Sequence, residues 1–146
     1  MPIIAEGIYD LLQRKNTTIV IPVNCVGVMG NGLALAAKMR YAGLMDFYVN
    51  VCNSGELKVG RPVHALRGKE SILLFPTKDH WRNDSQIEWI DSGLKFIADH
   101  HEKLSIKSLA IPMLGCGKGN LSWDSVRPLI YKHFETSPVE VTICAC

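Results

Sequence analysis

Val23-Asn24-Cys25-Val26-Gly27-Val28-Met29-Gly30-Asn31-Gly32-Leu33-Ala34-Leu35-Ala36-Ala37-Lys38 decides the architecture. Just upstream, Thr17-Thr18-Ile19-Val20-Ile21 is β-branched and apolar, the composition of a buried strand. Downstream, Leu33 to Met39 is rich in Ala, Leu and Lys, which favour helix. The stretch therefore predicts a strand ending near Asn24, a glycine-bearing turn, and a helix beginning near Gly32. Glycine at such a turn permits positive φ and lets a ligand approach the backbone closely. The helix start offers unpaired N–H groups and the positive end of its dipole, which favour an anion such as phosphate. The spacing matches neither GxGxxG nor GxxxxGK[ST]. Local chemistry leaves two readings open, a phosphate loop and a structural turn.

The same pattern recurs further along. Ser108-Leu109-Ala110-Ile111-Pro112-Met113-Leu114 reads as an apolar strand, and Gly115-Cys116-Gly117-Lys118-Gly119-Asn120-Leu121-Ser122-Trp123 as a second glycine loop that opens a helix. Pro128 fits the first turn of a helix starting near Ser122 or Ser125, where no backbone donor is missed. Two such loops on one side of a sheet could hold two phosphates, with Lys118 as a movable charge or merely a solvated one. Between them, Ser71-Ile72-Leu73-Leu74-Phe75 is a short buried strand running into Pro76-Thr77-Lys78-Asp79-His80-Trp81-Arg82-Asn83-Asp84. Cations beside Trp81 suit base stacking and backbone contact on a single nucleic-acid strand. The alternative is a surface loop whose Trp81 packs on the following helix. That helix carries Ser85 and Glu88 as a capping box and Ile87, Ile90, Leu94 and Ile97 as its buried stripe.

The remaining segments fill in the same alternation. Asp10 precedes the first core strand and reads either as a turn or capping residue or as an acceptor for a ligand amino group. Tyr41 to Ser54 suggests a helix, Val59 to Leu66 a strand placed at an edge by Pro62, and Arg67 to Glu70 a turn. His133 compensates a helix dipole, and Val139 to Cys144 closes the chain as a strand. The expected class is α/β, a three-layer α/β/α sandwich with a mixed central sheet, the loops lying at the carboxyl ends of its strands.

Composition excludes several classes. At 146 residues, 47% hydrophobic and 21% charged, the chain has the makings of one ordinary globular domain spanning 1–146. A net charge of +2 gives no global basic field, so nucleic-acid contact would need a local patch. No apolar run approaches the roughly 18 residues of a membrane helix, and the first residues lack the features of a signal peptide. Five cysteines with no metal-ligand spacing read as reduced thiols in a cytoplasmic protein, and no metal or cofactor is expected.

Asn24 to Leu35, Phe75 to Arg82 and Ile111 to Trp123 together resemble a macrodomain. They look closest to the DarG-type antitoxin branch, which removes ADP-ribose from DNA; the eukaryotic terminal ADP-ribose protein glycohydrolase is a sister group. The three motifs, in order and at family spacing, cover the chain from about residue 10 to its end. The resemblance implies that Asp10 contacts the adenine amino group, with Tyr9 where a glycine usually precedes it. It implies that Asn24 faces the distal ribose, that Gly30, Asn31, Gly32 and Leu33 surround that ribose and its phosphate, and that Gly115, Cys116, Gly117, Lys118, Gly119, Asn120 and Leu121 hold the diphosphate. Leu11, Met29 and Thr77 join the implied ligand set, and Lys78 matches the lysine held to be catalytic in this branch. Gly119 stands where the eukaryotic relatives carry an aspartate, which removes any mechanism needing that carboxylate. Asn31 replaces the usual basic or small residue.

The function implied is hydrolysis of the glycosidic bond at C1″ of the distal ribose, releasing a nucleobase of DNA. A lysine has a pKa of roughly 10.4 in water, so Lys78 would need a lowered value, from His80, Arg82 or burial, to act as a nucleophile forming a Schiff base. Protonated, it would stabilise charge on the departing base, and Asn24 would orient the ribose hydroxyls either way. The implied partners are ADP-ribose and ADP-ribosylated single-stranded DNA contacted by His80, Trp81 and Arg82, with a DNA-ADP-ribosylating toxin left open. A monomer with no membrane contact is expected. Two alternatives stand beside this: a hydrolase of ADP-ribosylated protein or ADP-ribose 1″-phosphate, and a non-catalytic ADP-ribose reader.

Overall fold

A computed structural model describes residues 4–66 and 70–145. Among them, one sheet contains β1 (Ile4–Ile8), β2 (Thr18–Asn24), β3 (Val63–Leu66), β4 (Ser71–Lys78), β5 (Ser108–Pro112) and β6 (Glu140–Ala145). The helices are α1 (Gly32–Arg40), α2 (Leu44–Asn53), α3 (Ile87–His100) and α4 (Trp123–Phe134), and a 3-10 turn covers Leu11–Gln13. The strand order is β1-β6-β5-β2-β4-β3. All neighbours are parallel except β3, which runs antiparallel to β4 at the edge. This is the mixed three-layer sandwich that the alternation of elements predicts.

The central strands are apolar on both sides because both sides are covered. From β2 and β4, Ile19, Ile21, Val23, Ile72 and Leu74 pack with Leu44, Tyr48 and Val51 of α2. Val20, Leu73 and Phe75 point to the other face, against Ile90, Leu94 and Ile97 of α3 and Val126, Ile130 and Phe134 of α4. Each of these last six helix side chains is fully buried. Fully burying one such side chain contributes on the order of 1.5–3 kcal/mol, so these stripes fix the layers.

The sheet is split where it matters. β2 pairs with β5 only through Thr18↔Leu109 and Ile19↔Ala110, after which the two strands part. Pro22 and Pro112, with no N–H to offer a ladder, lie beyond the last shared pair. On its other side β2 follows β4 as far as Val23↔Pro76, then slips so that Asn24 faces Lys78. Thr77 is the extra residue of that bulge, a device that re-aims neighbouring side chains. The chain leaves β2 for α1 on one face and β5 for α4 on the other, so the gap between them is the topological switch point.

Five local expectations are corrected. The Ser85–Glu88 capping box does not form: α3 starts at Ile87 with Gln86 as its N-cap and no side-chain bond to it. The Ser85 main-chain N–H instead donates to the Gly119 carbonyl at 3.0 Å, so a tertiary contact has displaced the local cap. Pro128 is not in the first turn of α4, which is capped by Ser122 and begins at Trp123. It sits in the second turn, exposed, where its missing N–H leaves a carbonyl to solvent. The helix expected over Tyr41 to Ser54 begins only at Leu44, because Gly43 holds a left-handed φ of 81° between α1 and α2. The strand expected from Val59 is confined to Val63–Leu66, and β4 runs past Phe75 through Pro76 to Lys78. Of the turn read at Arg67 to Glu70, residues 67–69 lie outside the described residues. His133 does more than face a helix end: its Nε2 lies 2.6 Å from Asp91 Oδ1, joining α4 to α3. No helix among the described residues is long and apolar enough to cross a membrane.

Candidate functional site

A cavity of about 880 Å³ opens at the carboxyl ends of the parallel strands, within the range of sites that bury a small organic ligand. Its floor is Pro22, Val23, Pro112 and Met113, the residues around the split. One wall is Gly30 to Ala34 of the β2–α1 connection and the facing wall is Gly115 to Gly119 of the β5–α4 connection. Tyr9, Asp10, Leu11 and Cys144 line one end, and Asn24, Val28, Thr77, Lys78 and Trp81 line another part.

The β2–α1 loop is held by Asn24. Its Oδ1 accepts from the Val26 N–H at 3.0 Å and from the Tyr48 hydroxyl at 2.7 Å, and its Nδ2 donates to the Val28 carbonyl at 2.8 Å. Asn24 lines the cavity, and its amide has a second N–H to donate. Burial pushes the Tyr48 phenol well above its ordinary range, so it remains a donor. α1 then starts with no side-chain cap: Asn31 occupies the N-cap without bonding a backbone N–H, and Gly32 holds a left-handed φ of 54°. The first amides of α1 are thus open beside the cavity, an arrangement suited to an anion. α4 differs, since Ser122 caps it through the Asp124 N–H at 3.2 Å. The facing loop brings Lys118, exposed, to the same cavity.

Lys78 ends β4 half-buried, and its Nζ donates to the Trp81 carbonyl at 3.3 Å. Asp79 Oδ1 braces the turn by accepting from the His80 N–H at 2.7 Å and Asn83 Nδ2 at 3.0 Å. The Asn83 bond is the chief cause holding the Asp79 carboxyl below its ordinary value. Trp81 is 45% exposed, so it does not simply pack on α3. The Arg82 guanidinium stands 4.7 Å from its ring centroid, and the His80 ring 5.3 Å from it. Trp81 lines the cavity, and His80 and Arg82 flank it outside.

Asp10 is a capping residue, accepting the Leu12 N–H at 3.2 Å, and its side of the 3-10 turn lines the cavity. Among the described residues it is the one carboxylate that lines the cavity, and it lies with the 3-10 turn rather than beside Lys78. Met29, 2% exposed, lies in the core with α2 and does not line the cavity. Asn120 and Leu121 also stand off it, Leu121 with its N–H on the Gly115 carbonyl at 2.8 Å. Two thiols in these loops are poor nucleophiles: burial pushes Cys25 up to about 11 and raises Cys116 as well.

Gly119 has no room for the aspartate of the sister group. A Cβ there would stand 2.4 Å from Ser85 Oγ and 2.5 Å from the Gly115 carbonyl oxygen. Gly119→Asp is therefore expected to cost about 1–3 kcal/mol, lowering the melting temperature by roughly 3–10 °C. A thermal melt of the variant checks this; an unchanged midpoint would mean the loop yields freely.

Sequence reasoning did not single out Pro22, Val23, Val28, Ala34, Pro112, Met113 or Cys144. The usable signal was the rule that strand carboxyl ends line the crevice, together with two prolines in otherwise central strands.

A split mixed sheet with a cavity between two glycine loops at its switch point is the architecture of the macrodomain family, and the chain belongs to it. Residues 20–130 match the Macro domain family. Over 96% of its length the chain is 35% identical to the DNA ADP-ribosyl transferase-DNA ADP-ribosyl glycohydrolase fusion protein of Thermosipho africanus, covering 40% of that protein. The solved macrodomain of Mycobacterium tuberculosis DarG is similar with a TM-score of 0.90 and 36% identity, over 98% of this chain and 97% of that one. Thermosipho africanus DarTG, solved in complex with ADP-ribose, is similar with a TM-score of 0.86 and 35% identity, over 98% of this chain and 42% of that one. The chain spans about two fifths of the length of the curated DNA ADP-ribosyl glycohydrolases it matches.

Proposed function

We propose that the chain binds ADP-ribose in this cavity and hydrolyses the glycosidic bond joining its distal ribose to a base of single-stranded DNA. One observation carries the reading: Lys78 and Trp81 line a cavity that also holds two glycine loops and Asp10. Asp10, beside Leu11, takes the adenine amino group. The open amides of α1 and the loop from Gly115 to Gly119 take the diphosphate. Asn24 turns its free N–H to the distal ribose, with Thr77 beside it. In the reaction water supplies a hydroxyl to C1″, the C1″–base bond breaks, and the base leaves with a proton. Lys78 is the catalytic group, stabilising the departing base or attacking C1″ of the opened sugar. Residues 1–146 act as one domain and a monomer in the cytoplasm. The counterpart activity is a DNA ADP-ribosyl transferase, the activity joined to a glycohydrolase in the Thermosipho africanus protein's name.

The test compares release of ADP-ribose from modified single-stranded DNA, from modified protein and from ADP-ribose 1″-phosphate. Preference for DNA supports the reading, preference for either other substrate replaces it, and binding without release leaves a reader. Trp81→Ala should slow the DNA reaction about ten-fold or more, since stacking one base contributes roughly 1–3 kcal/mol. Affinity for free ADP-ribose should barely change. Arg82→Ala should flatten the salt dependence, because each lost phosphate contact reduces counterion release. Equal losses for DNA and free ADP-ribose would make Trp81 structural.

A further inference from the structure

The segment carrying Lys78 is fastened at both ends. At its start the Cys25 N–H donates to the Asp79 carbonyl at 3.2 Å, joining it to the β2–α1 loop. At its end it meets the other glycine loop twice. The Ser85 N–H donates to the Gly119 carbonyl at 3.0 Å, and Asn120 Nδ2 donates to Asp84 Oδ1 at 2.7 Å. Asn120 adopts a left-handed φ of 62°, which Asn and Asp tolerate better than other side chains. The absent Cβ of Gly119 is what permits so close an approach.

We infer that Asp84 is a positioning residue for the reaction. Its bond to Asn120 sets where the Lys78–Trp81 turn stands relative to the loop that takes the diphosphate. Neither Asp84 nor Asn120 lines the cavity, so neither touches the ligand. They act through what they hold. The Asp79 bonds make the turn internally stiff, so a shift imposed at Asp84 reaches Trp81 and the Lys78 amine hydrogen-bonded to its carbonyl. Seating of the diphosphate is thereby coupled to placement of the Lys78 amine. This rests on the proposed reading of the cavity.

Reversing the bond tests it. Asn120→Asp sets two carboxylates against each other, Asp84→Ala removes the acceptor, and Asp84→Asn with Asn120→Asp restores a bond of opposite direction at unchanged net charge. On ADP-ribosylated single-stranded DNA each single substitution should lower kcat about ten-fold, and the exchanged pair should return to within about three-fold of the parent. For Asp84→Ala, calorimetry with free ADP-ribose should show a Kd within about three-fold of the parent, because the lost bond positions rather than binds. A merely structural bond would move stability without this kcat-against-Kd split. If Asp84→Ala turns over like the parent, or the exchanged pair is no better than Asn120→Asp, the coupling is refuted. A parent protein that releases ADP-ribose from no substrate removes the functional reading and the inference with it. Should Asp84→Ala fail to fold, Asp84→Asn takes its place in the kcat-against-Kd comparison, with the same outcomes.

Discussion

Lys78→Ala is expected to abolish release of ADP-ribose from DNA, with a fall in kcat on the order of 10²–10⁴-fold. Affinity for free ADP-ribose should stay within about three-fold of the parent. The asymmetry follows from position. Lys78 stands at the last residue of β4, whereas the walls of the cavity come from the β2–α1 and β5–α4 loops. Truncating it removes the amine from the proposed scissile end and leaves the open amides of α1 in place. The loop keeps its shape too, because the braces on Asp79 do not involve the lysine side chain. Lys78→Arg divides the two chemical roles. An arginine keeps the charge and cannot form a Schiff base, so activity in that variant means charge stabilisation and its loss means covalent chemistry. Quantifying released ADP-ribose by chromatography decides the matter. Near-parental release by the alanine variant would place the catalytic group elsewhere.

Gly117→Trp should abolish ADP-ribose binding, weakening it by at least about a hundred-fold, while the melting temperature stays within about 2 °C. Gly117 is exposed on the cavity wall, and a Cβ built on it meets no atom within 4 Å. A large side chain there enters the space proposed for the diphosphate instead of the core. Gly119, two residues on in the same loop, behaves oppositely because its Cβ direction is already occupied. Calorimetry and a thermal melt on the pair of variants separate a blocked site from a broken loop. Undiminished binding with Trp at 117 would move the diphosphate out of this loop.

Most of the layer architecture is legible in the sequence, because apolar runs such as Ile72 to Phe75 and the stripe Ile90, Leu94, Ile97 have one physical explanation each. The glycine loops are legible as candidates for the same reason: a strand, a turn and a helix start place open amides at one edge of a sheet. What escapes is whatever depends on a distant partner. Ser85 and Glu88 have the spacing of a cap, yet Ser85 serves Gly119 across the fold. Pro76 looks like a strand end and instead lies inside β4, since the bulge at Thr77 absorbs the misfit. Pro22 and Pro112 acquire meaning only once β2 and β5 are seen to part. The place of Lys78 across from Asn24 likewise depends on a one-residue slip between two strands, which no local pattern announces.

The hydroxyl of Tyr48 reaches from α2 to both the main-chain carbonyl and the side-chain oxygen of Asn24, each at 2.7 Å. The β2–α1 loop is thereby shaped from behind by the fold itself. Fixing one residue of a flexible loop costs roughly 1–2 kcal/mol of conformational entropy. Here that ordering falls on folding rather than on binding. Association with ADP-ribose is then expected to follow a single phase, because a loop already in shape has no closing step to add.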